Sequence, residues 1–286
     1  MTFAELDWVS IALRTIVYVA TIAAAGSVLF YATIRGAGQV GDAIHRQILL
    51  GLVLLLLVEP LRYLHFQLAI GGGDWSIAFD PSMRWLALET PIGQAALVRV
   101  ASALVIALAG LRQWPIGLVA ALAMIGSFAL EGHTTSHEGD GWLPAGLIVV
   151  HLVMIHWWLG SLYPLRASTL ALSDGEVLDL VKRFGRAALL AVASLSAAGA
   201  LLMLLLAGWQ IDPTRGHQVV FAVKMLIFAI ILAVAAGNKL KWTPMLATDP
   251  EAGRTGLHAS LNREIAFCAL ILIATAVMTS FPPASE

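Results

Sequence analysis

The chain has 286 residues, of which 59% are hydrophobic and only 12% charged, with a mean hydropathy of +0.84. Soluble domains carry roughly 25% charged residues, so this chain holds about half the charge that a water-exposed surface needs. A formal net charge of −1 gives no electrostatic footing for nucleic acid.

The first seven residues are acidic (Glu5, Asp7) and offer no basic stretch ahead of the first apolar run. A cleaved signal peptide is therefore not expected, and the first span should stay in place. A hydrocarbon core about 30 Å thick takes roughly 20 residues of apolar helix. Runs of that kind fall at 10–34, 48–69, 93–111, 115–130, 143–165, 187–208, 219–239 and 265–281. Only Arg112-Gln113-Trp114 separates the third and fourth, and Pro115 opens the second of the pair, so they read as a tight hairpin of two spans. The expected fold is thus all-α: a polytopic membrane bundle of eight transmembrane helices, in one domain over 1–286. No connection is long enough for a soluble domain, so any chemistry must sit in the bundle or its short loops. The single cysteine, Cys268, lies in an apolar run; it excludes internal disulfides and Cys-x-x-Cys metal modules.

Lysine and arginine collect in alternate loops. One set holds Arg35, Arg46, Arg112, Arg166, Lys182, Arg183, Arg186, Lys239, Lys241, Arg254 and Arg263. The other holds Arg84 and Arg215 beside Asp74, Asp80, Glu131, Glu138, Asp140 and Asp212. The positive-inside rule makes the first set cytoplasmic and puts both termini outside, as an even number of spans requires.

In that orientation the soft donors lie mostly outward. His133 and His137 sit in an outer hairpin, 132–141; His65 lies near the outer end of the second span, His151 in the outer part of the fifth, and His217 before the seventh. Only His45 and His258 fall in cytoplasmic loops. Met83, Met203, Met225 and Met278 are also outward, and Met154 is one turn deeper than His151. Imidazole with thioether suits copper, since thioether selects Cu(I) and imidazole accepts either oxidation state. Zinc would recruit thiolate, and calcium or magnesium a carboxylate cage. Most methionines in apolar spans are packing residues, however. Histidine in hydrocarbon is costly and functional by default. His151, Met154 and Trp158 share one helix face, whereas His156 points nearly opposite and reads as a hydrogen-bonding partner of a neighbouring helix. His133 and His137, beside Glu131, Glu138 and Asp140, read equally as ligands or as a solvated rim.

Four cations intrude at span ends: Arg14, Arg62, Arg99 and Lys224. Snorkelling to the headgroups suffices for Arg14. Glu59-Pro60-Leu61-Arg62 places a proline kink beside an i,i+3 ion pair, which reads as structural or as the lining of a polar path.

Several stretches together resemble the CopD copper-resistance family. These are Gly132-His133, His151-Leu152 and Trp158-Leu159-Gly160-Ser161-Leu162; then Phe184-Gly185-Arg186, Thr214, Lys224, Asn238-Lys239 and Pro244; and the terminal Thr275-Ala276 with Pro282-Pro283. In the first half Arg14, Gly26, Leu29-Phe30, Thr90, Gly93 and Arg99 fit as well. The departure is Ser161, where the family more often has a second glycine. The resemblance implies a bacterial inner-membrane protein, whose outward termini would then be periplasmic by the charge rule above, that moves copper between periplasm and cytoplasm, often beside a periplasmic copper-binding partner of the CopC type. It supports His133 and His151 as copper ligands by motif; His65, His137 and His217 rest on outward placement. Thr90, Gly93 and Arg99 entering the third span also echo Thr214, Gly216 and Lys224 entering the seventh, which suggests a weak four-plus-four repeat, 1–131 and 142–286.

Three functions compete. A copper permease has no visible nucleotide loop or phosphorylatable aspartate motif, so the chain reads as a transporter and not an enzyme. Membrane potential favours cation entry, making uptake the simpler direction; Glu59 reads as the only acid well inside a span. The expected entry site is His133 with His151, joined by His65, His137 and Met154. A b-type haem oxidoreductase using His151 and His65 is the second possibility. A scaffold that hands copper to a partner without transporting it is the third.

Overall fold

The computed structural model describes residues 5–131, 142–207 and 216–281. Among these residues every regular element is helical. Helix α1 (Trp8–Thr21) starts where the Asp7 carboxylate accepts from the Val9 and Ser10 N–H groups, each at 3.1 Å. It runs through a π-helical turn, Ile22–Gly26, into α2 (Ser27–Thr33). Helix α3 (Gly41–Ile70) carries Pro60 inside it. Two short helices follow, α4 (Trp75–Ala78) and α5 (Pro81–Glu89), capped by Asp74 and Asp80. The ordinary carboxylate range is too high for both: hydrogen bonds from Ser76 to Asp74, and from Ser82 and Met83 to Asp80, hold each carboxyl below it. Trp75, Phe79 and Trp85 on these helices are exposed, as interfacial aromatics are.

Helix α6 (Pro91–Ala109) ends at Gly110, whose φ of 54° turns the chain sharply into α7 (Trp114–Gly126) and a 3-10 turn, Ser127–Ala129. The remaining elements are α8 (Trp142–Ala171), α9 (Asp174–Ala207), α10 (Gly216–Gly237), a π-helical turn Asn238–Trp242, α11 (Thr243–Thr248) and α12 (Pro250–Met278).

Seven helical segments are long and apolar enough to cross a membrane, and Trp114–Ala129 is a shorter eighth apolar helix. At 1.5 Å per residue that eighth reaches about 24 Å, less than a full hydrocarbon core. The eight expected runs all fall on these helices. The last expected run, 265–281, is much shorter than its helix, because Asp249 caps and Pro250 opens α12 well before the apolar stretch begins. Likewise α9 starts at Asp174, ahead of the expected 187. Helix continues past the apolar run because only hydrocarbon, not helix, demands apolar side chains.

Helix α8 is the hub, packed on α9, α12, α2 and the first π-turn. Its approach to that turn is backbone on backbone. A Cβ added to Gly26 would lie 2.1 Å from the His156 carbonyl oxygen, and one added to Gly160 would lie 2.5 Å from the Gly26 carbonyl carbon. The buried core runs through both halves, from Phe30, Ile44 and Leu55 to Leu162, Leu180 and Leu257. Outside it the surface is apolar, with Leu108 87% exposed and Leu57, Val119, Leu190 and Leu226 also turned outward. Soluble proteins do not carry such a continuous apolar face, and lipid is the solvent that tolerates it.

Candidate metal site

The acidic end of the bundle holds a buried ion network. Arg99 on α6 is wholly buried, and its Nε and Nη2 donate to Glu59 Oε1 of α3 at 3.1 and 2.6 Å. Arg99 also donates to Glu131 and, at 3.3 Å, to the Ser127 hydroxyl, while Phe128 lies over its guanidinium at 5.0 Å. Arg62 forks onto Glu131 at 2.9 and 2.8 Å and reaches Glu59 at 3.2 Å. Two arginines and two glutamates thus neutralise one another, which is how charge persists in a low-dielectric interior. The expected Glu59–Arg62 pair is therefore half of a four-residue network, and Arg99 is no snorkelling cation. The network fixes Glu131, the last described residue before the 132–141 segment. His133 and His137 lie in that segment, outside the described residues.

Arg14 is also held, donating to the Thr279 and Ser280 hydroxyls at 2.8 and 3.2 Å, so it ties α1 to the end of α12.

Three of the ligand candidates, His65, His151 and Met154, lie among the described residues. His65 Nε2 lies 3.2 Å from Asp7 Oδ2, joining the outer end of α3 to the start of α1. His151 Nδ1 lies 3.0 Å from the Leu195 carbonyl oxygen of α9, opposite Gly199, whose missing side chain makes room for the ring. A carbonyl can only accept, so this bond places the proton on Nδ1 and leaves a lone pair on Nε2. Metal-binding histidines are usually held in this way, with the second nitrogen donating to an oxygen. Met154 is half-buried and packs against the main apolar core. Among the described residues no group of three or more histidine, cysteine, aspartate or glutamate side chains comes together as a metal cage.

His156 is placed as the helix face suggested. It is buried, its Nδ1 2.8 Å from the Leu152 carbonyl and its Nε2 3.2 Å from the Thr21 hydroxyl. Both ring nitrogens are engaged within the fold. Lys224 is electrostatically coupled to both His151 and His217 and has no ion-pair partner among the described residues.

A second polar cluster, toward the basic end, was not foreseen. Glu264 of α12 is 1% exposed; its Oε1 accepts from Trp158 Nε1 at 3.1 Å and its Oε2 from Asn238 Nδ2 at 2.7 Å. Glu59 is therefore not the only acid inside a span. The error came from starting the last span at 265, one residue past Glu264. Trp158 and Asn238 both belong to the stretches that resemble CopD proteins, and the helical spacing of Glu264 with Cys268 in an apolar segment is the signal the sequence carries.

Together these features define a polytopic helical membrane protein with prepared polar groups buried at both ends of its bundle. Two family models match the chain. The N-terminal domain of copper resistance protein D-like proteins matches residues 5–144, and copper resistance protein D matches residues 178–278. The chain belongs to the CopD family, a multi-pass membrane family tied to copper resistance. Neither the curated proteins nor the solved structures compared with this chain contain a match.

Proposed function

We propose that this protein is a copper permease of the bacterial inner membrane, carrying copper from periplasm to cytoplasm without enzymatic activity. The observation that carries this reading is His151: an imidazole inside a span, its Nδ1 tied to the Leu195 carbonyl and its Nε2 left with a lone pair. By the positive-inside rule it lies in the periplasmic half. Copper would meet His133, His137 and His65 around the outer rim, pass to His151 with Met154 one turn deeper, and continue inward along sparse ligands. Among the described residues no cage of titratable side chains gathers at His151, which suits a transit site, because a site that binds too tightly cannot release.

The driving force in this reading is electrical. A monovalent cation entering an inside-negative cell gains about 2.3 kcal/mol per 100 mV. That is roughly a 50-fold accumulation at equilibrium. A periplasmic copper-binding protein of the CopC type is the expected supplier. Replacing His151 by alanine should reduce cellular copper accumulation to the level of cells lacking the protein; unchanged accumulation would remove His151 from the entry path. The haem alternative predicts a Soret band in purified protein.

A further inference from the structure

We propose that Glu264 is a proton-binding site in the basic half of the bundle, with the Asn238 amide as a two-state partner that serves either form of the carboxyl. Glu264 of α12 is buried against α8 and the second π-turn, yet both of its hydrogen-bond donors are neutral. The contrast with Glu59 is direct, since that acid has two arginines. A carboxylate in hydrocarbon without a cation is costly.

The charges on the second π-turn, α8, α1 and α12 are held by other partners, and on α10 Lys224 and His217 stand 14 and 21 residues before Asn238, about 21 and 32 Å along the helix. On the second π-turn, Lys239 donates to the Gly185 carbonyl and Lys241 lies over the Trp242 ring. On α8, Arg166 bonds Asn262, and His156 is engaged with Leu152 and Thr21. On α1, Arg14 is held at the far end by Thr279 and Ser280. Helix α11 (Thr243–Thr248) contains no titratable residue, and on α12 itself Arg263 turns to the Ala259 carbonyl. Cys268, one turn along α12, is the titratable group electrostatically coupled to Glu264.

The second observation is at Asn238. Its Oδ1 is buried and has no hydrogen-bond partner, while its Nδ2 donates to Glu264 Oε2 at 2.7 Å. An orphaned buried acceptor calls for a donor. A protonated Glu264 supplies one: half a turn of the amide about its last bond brings Oδ1 to face Oε2, and the carboxyl O–H donates to it. Ionised Glu264 accepts from Nδ2–H; neutral Glu264 donates to Oδ1. Trp158 N–H stays on Oε1 in both states. Asn238 opens the π-helical turn Asn238–Trp242, and π-turns frequently mark functional positions. The proton comes from water at the basic end and returns there. Release of this proton as copper passes rests on the permease reading; its binding does not.

The test is infrared difference spectroscopy of the full-length protein in lipid, titrated from about pH 5 to about pH 9, a range that buried glutamates reach. A protonated-carboxyl band should appear on acidification and be absent in Glu264→Gln. Gln keeps the size of Glu and both hydrogen-bond directions, so this variant should fold. In Asn238→Leu the band should persist at a shifted frequency with a shifted midpoint. A band that does not titrate, or that survives in Glu264→Gln, overturns the site; an unshifted band in Asn238→Leu overturns the role of the amide. Neither result depends on copper flux, so failure of the permease reading would be seen separately.

Discussion

Replacing Arg99 by methionine tests the ion network. Arg99 supplies two of the three hydrogen bonds on Glu59 Oε1 and one of those on Glu131, and it is wholly enclosed. Its loss leaves two carboxylates facing one arginine, Arg62, whose bond to Glu59 is the longer one at 3.2 Å. Breaking a buried pair by removing one partner costs about 3–5 kcal/mol, because an uncompensated charge stays in low dielectric. Methionine fills much of the volume, so the packing loss should be the smaller part. Adding Glu59→Gln restores neutrality and should recover a large share of the loss. The assay is reversible denaturant unfolding in mixed micelles for wild type, both single variants and the double. A loss under about 1 kcal/mol for Arg99→Met, or a double variant no better than the single, would show that the network carries no such charge balance.

Gly160→Ala should cost about 1–3 kcal/mol through overpacking, since its Cβ meets Gly26 backbone at 2.5 Å; thermal unfolding in detergent checks this, and an unchanged midpoint would mean the helices can part freely. His156→Ala should leave copper binding near wild type while lowering stability by about 1–3 kcal/mol, as both of its nitrogens serve the fold; copper titration alongside unfolding separates the two. Asp80 caps α5 with its carboxyl held below the ordinary value of 3.8, chiefly by Ser82. Its cap is therefore present in full above that value and lost as pH falls through the lowered one. Protection of the Met83 amide, its exchange relative to the intrinsic rate at each pH, should hold down to about pH 4 and fall only below it; loss of protection already near pH 5 would contradict the bond.

Much of the fold was legible because hydrocarbon imposes a simple rule on sequence. Apolar runs of sufficient length marked all eight helices, and Pro115 after Arg112-Gln113-Trp114 marked the hairpin between α6 and α7. Helix ends were less legible, because α9 and α12 continue into polar sequence where hydropathy falls silent and caps such as Asp249-Pro250 decide. That is how Glu264 was missed. The interior partnerships were illegible for another reason. Glu59 and Arg62 are neighbours on one helix, so their pairing could be read from spacing; Arg99 and Glu131 join them only through the packing of α3, α6 and the end of α7. His151 stood out as a histidine in a span, but its Leu195 partner and the space at Gly199 depend on α8 meeting α9. Soft-donor placement pointed to one end of the bundle; it could not say that His65 would be tied to Asp7 and Met154 packed in the core.

Copper flux into liposomes containing this protein alone is the most direct measurement of the central claim. With the cytoplasmic end inside and an inside-negative potential, copper should enter, enter faster as the potential grows, and fail to enter through His151→Ala. No flux from wild type at any potential would make the protein a copper-handling scaffold, and flux unaffected by His151→Ala would place the path elsewhere.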